Sequence, residues 1–393
     1  MKRGPTGTPR STSVAGEHVD AFVPYPLPPT PPLVLEGRLA SLLESATVAV
    51  GRLDGVSTLL PDKDLFLYAF VRKEALLSSQ IEGTQSSFSD LLLFELDEMP
   101  GVPLDDVREV SSYVAALDHG LTRLREGFPL SGRLIREVHG ALLQSGRGLD
   151  RDPGEFRRSQ NWIGGTHPGN AQFVPPPHTE VADAMADLER FLNAHDDGMP
   201  LLARAALAHV QLETIHPFLD GNGRVGRLMI ALLLCDAGVL REPMLYLSLY
   251  LKRHRARYYE LLDLVRREGD REAWLEFFVE GVLEAAQSAV ATAVRLTELF
   301  AADRTRIEAA TGRRAGSALR VHEALKSRPI RSIPDLTVET GLSYPAAKSA
   351  VDELVTLDIA RELTGRKRDR LYAYAPYIAV LEEGTEPLGD GAR

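Results

Sequence analysis

The sequence has one cysteine and no long apolar run. Cys235 stands alone among 393 residues, so the chain cannot form an internal disulfide, and a reducing cytoplasm is the expected location. The longest uninterrupted apolar segment, residues 228–235, is far shorter than the ~20 residues that cross a bilayer. We therefore expect no membrane partner.

Residues 1–35 lack the apolar core of a signal peptide. Lys2 and Arg3 stand near the start, but proline, glycine, serine and threonine follow them where a signal peptide has an apolar stretch. This composition predicts an extended or disordered N-terminal arm.

The sequence also lacks an excess of basic residues. Its net charge of −10 argues against wholesale binding to nucleic acid or to acidic membranes. The length suggests two or three domains, and a hydrophobic share of 44% is enough to build their cores. Helical periodicity dominates between residues 36 and 310, so the predicted fold class is mainly α. Helices are predicted over residues 64–77, 105–124, 130–144, 181–194 and 272–300.

Residues 216–227, with the sequence HPFLDGNGRVGR, form the most informative segment. Pro217 disfavours helical geometry at the residue before it, so the helix predicted through residue 215 ends with His216 facing a turn. Gly221 and Gly223 permit backbone angles that other residues avoid, and their N–H groups can converge into a nest for anionic oxygens. The next helix adds unpaired N–H groups and a positive dipole end. The pattern predicts a phosphate-binding turn with a candidate base beside it.

Three charged side chains suit that turn to a nucleotide. Arg224 and Arg227 are one helical turn apart and can both grip phosphates in a forked geometry. Asp220 is a hard oxygen ligand that suits Mg²⁺ shared with a di- or triphosphate. The Walker-A lysine pattern is absent, which disfavours an ordinary P-loop ATPase.

This segment resembles the signature of the Fic (filamentation induced by cAMP) family, H-x-F-x-[DE]-G-N-G-R-x-x-R, and carries all eight of its fixed positions. The resemblance implies that His216 is a general base, which deprotonates a hydroxyl on a target protein. Most members with the complete motif transfer AMP from ATP to Ser, Thr or Tyr and release pyrophosphate. The resemblance also implies that Phe218 anchors the loop and that Asp220 is a magnesium ligand. It implies that Gly221, Asn222 and Gly223 form an anion hole. Arg224 is then the residue that grips phosphates, and Arg227 the one that contacts the γ-phosphate.

Two other interpretations of His216 stay open. The residue can act only as a helix cap while the arginines pair with nearby acids, although the glycines and arginines at fixed offsets disfavour this. It can also belong to a helical metal site, since His209, Glu213 and His216 recur at intervals of four and three residues. No other residues complete an H-E-x-x-H motif or a cysteine cluster, so His209 and Glu213 are interpreted as core or supporting groups.

Residues 78–83, with the sequence SSQIEG, form a second motif. Gly83 is a natural helix stop, so Glu82 lies at a helix C-terminus, where the dipole disfavours a negative charge without a nearby cation. The segment resembles the inhibitory [ST]-x-x-x-E-[GN] helix of Fic proteins, with Ser78, Glu82 and Gly83 at its fixed positions. The resemblance implies that Glu82 pairs with Arg227 and keeps ATP out of a reactive pose. In some relatives this glutamate also aligns the water that removes AMP. Without the Fic signature, it would be interpreted as an ordinary solvated side chain.

The sequence between residues 157 and 177 ends in a proline run. Prolines confine an apolar stretch to an edge strand or an exposed segment, and an edge can dock a peptide by strand addition. Fic proteins hold the hydroxyl-bearing segment of the target with such a hairpin, called the flap, and Phe173, Val174, Pro175 and Pro176 resemble it. The alternative is a proline-rich surface loop.

The C-terminal residues predict a winged helix-turn-helix. Three helices are expected at residues 319–327, 332–340 and 344–357, and two strands at residues 359–363 and 371–374. Ser343 is a suitable N-cap for the third helix.

Basic residues gather between the two predicted strands. Arg366, Lys367 and Arg368 are candidate DNA contacts, because a basic wing tip is a common footprint of DNA binding. Lys348 is the only basic residue of the predicted recognition helix, which also carries two acidic residues. The alternative is therefore a module for protein interaction or dimerisation.

The predicted organisation begins with an N-terminal arm (residues 1–35), a helical region with the inhibitory helix (36–100) and a Fic catalytic core with a β-hairpin flap (101–290). A linker helix (291–315), a winged helix domain (316–378) and a tail (379–393) follow. The predicted function is a self-inhibited protein adenylyltransferase that uses ATP and Mg²⁺, acts on a target protein that can include itself, and can form a homodimer. The alternatives are removal of AMP or transfer of another phosphate-bearing group on the same fold, or a nucleotide-sensing DNA-binding regulator.

Overall fold

The computed structural model describes residues 2–14, 16–59, 63–96, 104–146, 148–194, 197–312, 315–366 and 368–387. Within these ranges the protein is mainly α-helical, with two small antiparallel sheets. The elements in chain order are β1 (Gly7–Val14), β2 (Glu17–Pro24), α1 (Gly37–Leu59), α2 (Lys63–Ile81), α3 (Phe88–Phe94), α4 (Leu104–Arg125), α5 (Gly132–Leu142), α6 (Val181–Leu192), α7 (Leu201–Ile215), α8 (Asn222–Asp236), α9 (Ser248–Arg253), α10 (Arg255–Glu268), α11 (Arg271–Thr311), α12 (Ala315–Ser327), β3 (Ile330–Ser332), α13 (Ile333–Thr340), α14 (Tyr344–Thr356), β4 (Ala360–Glu362), β5 (Leu371–Tyr374) and α15 (Ala375–Glu382).

Helices α7 and α8 form the centre of the core, and the turn between them carries the predicted phosphate site. Both helices are buried along most of their length, because their sequences are apolar on nearly every face. Helices α2, α4, α5, α10 and α11 pack around this pair. The turn at residues 216–221 is therefore held at both ends by buried helices, which fixes the side chains that it presents.

Helix α11 runs without a break from Arg271 to Thr311. The separate linker helix expected at residues 291–315 is instead the second half of this helix, because no proline and no terminating glycine occurs before Gly312. By length and composition alone this is the one helix among the described residues that could cross a membrane, yet 56% of its most apolar window is buried inside the protein. A core helix meets the same criterion, so this observation is weak support for a membrane span.

The N-terminal arm is more ordered than its composition predicted. Strands β1 and β2 form an antiparallel hairpin whose register runs from Gly7 opposite Pro24 to Val14 opposite Glu17. Apolar and β-branched residues occur within the polar composition, and Val14 and Ala21 are buried. The prediction named an extended or a disordered arm, and residues 7–24 are extended strands rather than disordered, because these few buried residues suffice to dock a hairpin.

Residues 315–382 form a C-terminal unit in which helices α12 to α14 pack on a three-stranded sheet of order β3-β5-β4. The two predicted strands are present in shortened or matching form, while β3 and α15 were not predicted. Strand β3 has three residues, too few for a periodic pattern. Helix α15 crosses the boundary expected at residue 378. The three predicted helices and the two predicted strands occur in the predicted order, and the winged helix-turn-helix stays a prediction.

Candidate functional site

His216 lies where helix α7 ends, in a left-handed conformation with φ 49° and ψ 60°. Its backbone N–H donates to the Leu212 carbonyl over 2.8 Å, and Pro217 then prevents the helix from continuing. A left-handed residue costs about 1–2 kcal/mol, so the buried helices on both sides must maintain this geometry. The imidazole faces a cleft of about 560 Å³ that Glu82, Phe173 and Arg227 also line.

The His216 imidazole is held in its neutral form. Its Nδ1 is buried and has no hydrogen-bond partner among the described residues. Burial and the positive charges of Arg266 and Arg157 together lower the pKa of His216 to about 3. The ring is therefore neutral near pH 7, which is the form a general base requires.

The glycine turn after His216 is closed by its own side chains. Asn222 binds the Phe218 backbone twice, because its Oδ1 accepts from the Phe218 N–H and its Nδ2 donates to the Phe218 carbonyl, each over 2.9 Å. Gly221 precedes helix α8 with φ +76°, a conformation that favours glycine. The Asn222 side chain thus shapes the loop, and the backbone N–H groups at the start of α8 are left to contact an anion.

Arg227 joins the two predicted motifs across 145 residues of sequence. The guanidinium is 3% exposed and donates to the Ser78 hydroxyl over 2.8 Å and to the Ser78 carbonyl over 3.1 Å. It also donates to Glu82 Oε1 over 2.6 Å. Gly83, with φ +105°, then leads the chain away from α2. The structure therefore brings Ser78, Glu82 and Arg227 into one cluster.

Opposite charges keep both members of this pair ionised. Burial alone would raise the pKa of Glu82, but the Arg227 guanidinium holds it below the usual range. Burial alone would lower the pKa of Arg227, and Glu82 raises it above the usual range. A Cβ at position 223 would collide with the Glu82 carboxylate, so Gly223 is what admits that carboxylate to the start of α8.

Arg224 and Asp220 lie together on the other side of the turn. Arg224 donates to Glu109 over 3.2 Å and lies 3.5 Å from the Asp220 carboxylate. One Asp220 oxygen accepts the Gly221 N–H over 2.7 Å, while the side chain remains 45% exposed. This partly free carboxylate beside an anion nest fits Mg²⁺, which takes one or two carboxylates plus phosphate oxygens.

Two family models match the chain, the Fic/DOC family N-terminal model over residues 40–122 and the Fic/DOC family model over residues 129–234. The chain therefore carries a Fic/DOC family N-terminal domain and a Fic/DOC family domain. The second match contains His216 and the glycine turn, and the first contains the Glu82 motif.

Curated relatives carry the name "Protein adenylyltransferase Fic". The one from Drosophila ananassae is 34% identical over 181 residues, which is 46% of this chain and 33% of that protein. The one from Drosophila melanogaster is 33% identical, with 46% and 34% covered. The matched region thus spans about a third of the length of these relatives.

Solved Fic structures share the fold of this chain. A Fic family protein from Desulfovibrio desulfuricans superposes with a TM-score of 0.57 at 19% identity, over 87% of this chain and 97% of that one. A Fic domain containing signaling protein from Bacteroides thetaiotaomicron gives a TM-score of 0.51 at 20% identity, over 65% and 96%. At these identities the likeness shows the fold alone, and the predicted Fic-type helical fold is confirmed.

The predicted flap of this Fic chain is a short bridge between Ile163 and Phe173. The next residue along, Val174, accepts the Phe22 N–H of strand β2 over 2.9 Å. The N-terminal hairpin therefore covers the edge at Val174, which was expected to be open to a peptide. The cleft beside His216 is lined by Gln172 and Phe173, so the accessible part of the flap lies there.

Arg157 links the predicted flap to His216, a contact that the sequence did not reveal. Its side chain is 2% exposed and donates to the carbonyls of His216, Ser159 and Pro176. Gln160 adds a bond to the Pro175 carbonyl over 2.8 Å. Because one guanidinium holds both segments, the flap and the left-handed His216 keep a fixed separation.

His139 contacts the turn at residues 216–221, and this contact was also not predicted from the sequence. The Gly154 N–H donates to its Nδ1 over 2.8 Å, so Nε2 carries the proton and donates to the Asp220 carbonyl over 3.1 Å. Burial lowers the pKa of His139 to about 4, which keeps this tautomer neutral. The ring stacks on fully buried Phe218 at 3.7 Å. A histidine on a predicted helix carries no sequence signal for this role.

The helical metal site proposed for His209, Glu213 and His216 does not form. His209 Nε2 lies 2.9 Å from the Tyr258 hydroxyl, and burial raises the pKa of Glu213 to about 7. In the part of the chain that the structure describes, no three His, Cys, Asp or Glu side chains converge as metal ligands. A Cβ at Gly226 would lie 3.0 Å from His209 Nδ1, so His209 instead packs against α8.

The predicted wing tip is a turn held by Glu362, whose carboxylate accepts the N–H groups of Thr364 and Gly365 over 2.7 and 3.0 Å. Arg366 and Arg368 are exposed, and Lys367 lies outside the described residues. On helix α14, Lys348 pairs with an aspartate one turn away. Arg366 and Arg368 therefore place positive charge on the exposed surface of the predicted wing tip.

Proposed function

We propose that the chain is a protein adenylyltransferase that transfers AMP from ATP to a Ser, Thr or Tyr hydroxyl of a target protein. The observation that carries this proposal is the neutral His216 beside the nest at the start of α8, with Arg227 in the same cleft. The names of the curated relatives support the same reaction. The target includes the chain itself as a candidate.

In the proposed reaction, His216 takes the proton of the target hydroxyl, and the resulting oxygen attacks the α-phosphorus of ATP. A bond forms between that oxygen and phosphorus, the bond from the α-phosphorus to the bridging oxygen breaks, and pyrophosphate leaves. The proton passes from His216 to solvent. Such transfers depend mainly on positioning and charge neutralisation, which the α8 N-terminus and Arg224 supply in this chain.

Asp220 is the residue that would hold Mg²⁺. Bound there, the ion would neutralise charge on the phosphates of ATP. The His139 bond to the Asp220 backbone carbonyl holds the main chain from which that carboxylate projects. The role of the ion stays a proposal, and the donor set, a half-exposed carboxylate beside an anion nest, is what supports it.

Autoinhibition by Glu82 is part of the same proposal. The Glu82 carboxylate takes the Arg227 guanidinium that a γ-phosphate would otherwise bind, and it lies against Gly223 at the start of the anion nest. A fully bound triphosphate and the Glu82 carboxylate compete for the Arg227 guanidinium. ATP therefore binds in a productive pose only after the pair opens.

We expect Asp220→Ala to abolish most of the magnesium-dependent AMP transfer, because the phosphates lose their bridging ion. The measurement is transfer of label from α-labelled ATP to protein across a magnesium titration, with Asp150→Ala, an exposed acid outside the turn, as the control. Transfer that resists both Asp220→Ala and chelation of divalent ions would refute the proposed chemistry.

Removal of AMP from a modified target is a second candidate, because Glu82 and His216 line the same cleft and a carboxylate there can activate water. Mass analysis of a target incubated with the chain, with and without ATP, separates the two directions: addition raises the target mass by one AMP, and removal lowers it.

DNA binding by the C-terminal unit is the other activity that we propose, supported by the exposed Arg366 and Arg368. The chain should retard a mixed DNA probe at low salt, with retardation that falls steeply as salt rises. Neutralising Arg366, Lys367 and Arg368 should weaken it, whereas Arg304→Ala on α11 should not. Failure of the intact chain to retard any DNA at low salt would favour a protein-interaction module.

A further inference from the structure

The last turn of helix α2 is held on two opposite faces. Ser78 and Glu82, one helical turn apart, bind Arg227. Gln80 stands between them, about 200° around the helix from Ser78, and therefore faces away from the nucleotide cleft. What holds Gln80 thus acts on the same turn that carries Glu82.

The partner of Gln80 is residues 382–386, Glu-Glu-Gly-Thr-Glu, which we name the strap. Gln80 is fully buried, and its Nε2 donates to the Thr385 carbonyl and to the Ser86 carbonyl, each over 2.8 Å. Its Oε1 accepts from Lys252 over 2.7 Å. Every hydrogen-bonding position of this amide except one lone pair is therefore used, and one bond reaches a segment 305 residues away.

Basic side chains from several helices complete the groove around the strap. Lys73, on α2 two turns before Gln80, donates to the Glu383 carbonyl over 2.9 Å. Lys252 donates to the carbonyls of Gly384 and Glu386. Arg295 of α11 pairs with both Glu383 carboxylate oxygens at 2.7 Å. Such a groove, built from ammonium, guanidinium and amide donors, recognises backbone carbonyls and carboxylates.

We propose that the groove lined by Lys73, Gln80 and Lys252 is a binding site for an extended acidic segment, filled here by the strap, and that its occupancy holds the inhibitory helix against Arg227. The inhibitory role of that helix rests on the proposed adenylyltransferase function. The strap then connects the C-terminal unit with the inhibitory helix at the nucleotide site.

The chemistry of the groove suits a reversible contact. Lys73 and Lys252 are 2% and 6% exposed, and burial lowers the pKa of each to about 8. Withdrawing the strap exposes polar groups that water can satisfy. Leu381, directly before the strap, is fully buried and anchors α15. A partner with its own extended acidic segment would therefore compete for the polar groove while Leu381 keeps α15 anchored.

The first test removes the strap by ending the chain after Leu381, which keeps the apolar anchor. We expect amide hydrogen exchange at residues 78–84 to accelerate at least tenfold and AMP transfer to rise in the chain that retains Glu82. In a Glu82→Gly background the same truncation should give no further rise. Unchanged exchange at residues 78–84 would overturn the proposal.

The second test distinguishes a binding site from general destabilisation. Lys252→Met removes the strap and Gln80 contacts with little change in side-chain length, and should reproduce the effects of truncation, whereas Arg304→Ala should not. A peptide of residues 382–387, added to the truncated chain, should slow the exchange again, and a scrambled peptide should not. A peptide without effect on exchange would contradict the proposed site. Absence of AMP transfer in every variant, including Glu82→Gly, would refute the proposed function, while the exchange data would still decide the role of the strap.

Discussion

His216→Ala should lower AMP transfer by about 10²- to 10⁴-fold, the usual effect of removing a general base, while ATP binding stays close to normal. The reason for the separation is spatial: the phosphate contacts come from the α8 N-terminus and the arginines, whereas His216 faces the hydroxyl. Transfer of label from α-labelled ATP measures the first quantity, and equilibrium binding of ATP measures the second.

His216→Asn is the matched variant, because asparagine tolerates the left-handed backbone at this position better than alanine does. An equal loss in both variants would assign the effect to the missing base rather than to backbone strain, and His178→Ala in the loop after the flap should stay near normal. Since the pKa of His216 is about 3, acidification from pH 8 to about pH 5 should not protonate it. Near-normal transfer by His216→Ala would contradict the assignment.

Glu82→Gly should raise AMP transfer and tighten ATP binding. Charged hydrogen bonds contribute about 1.5–3 kcal/mol, so release of Arg227 predicts a gain of roughly 10- to 150-fold. The Glu82 side chain is 35% exposed, and solvent screening makes the larger penalties of fully buried pairs unsuitable here. Self-labelling and ATP affinity are the two readouts.

Arg227 provides the decisive control for this prediction. Arg227→Ala should not activate the chain, because the same guanidinium serves the nucleotide, and the double variant should resemble Arg227→Ala. Glu95→Gln breaks another ion pair of α2, the one with Arg72 at 2.8 Å, and should leave transfer unchanged. If Glu82→Gly changes neither labelling nor ATP affinity, Glu82 is an ordinary acid at a helix end.

The parts of the site that could be predicted are those encoded by local spacing. The turn at residues 216–227 combines proline, glycine and arginine at fixed offsets, so its conformation follows from neighbours in sequence. The same holds for α2, which was predicted over residues 64–77 and extends from Lys63 to Ile81. The pairing of Glu82 with Arg227 was accessible only because both motifs resemble Fic segments.

The contacts that escaped prediction are made by side chains distant in sequence. Arg157 binds the carbonyls of His216 and Pro176, and His139 binds the Asp220 carbonyl. Backbone carbonyls exist at every residue, so no residue type marks them as partners. The docking of Gln80 on the strap was hidden for the same reason. The N-terminal hairpin was missed because a polar composition obscured the few buried residues that attach it.

We propose that Arg227 and the nest serve the transfer of AMP and that Glu82 inhibits it. The most direct measurement incubates the Glu82→Gly chain with Mg²⁺ and ATP labelled at either the α- or the γ-phosphate, and follows label bound covalently to protein. We expect the α-label to be retained on protein, the γ-label to leave with pyrophosphate, and the chain with intact Glu82 to retain far less α-label. Retention of the γ-label, or equal α-labelling with and without Glu82, would contradict it.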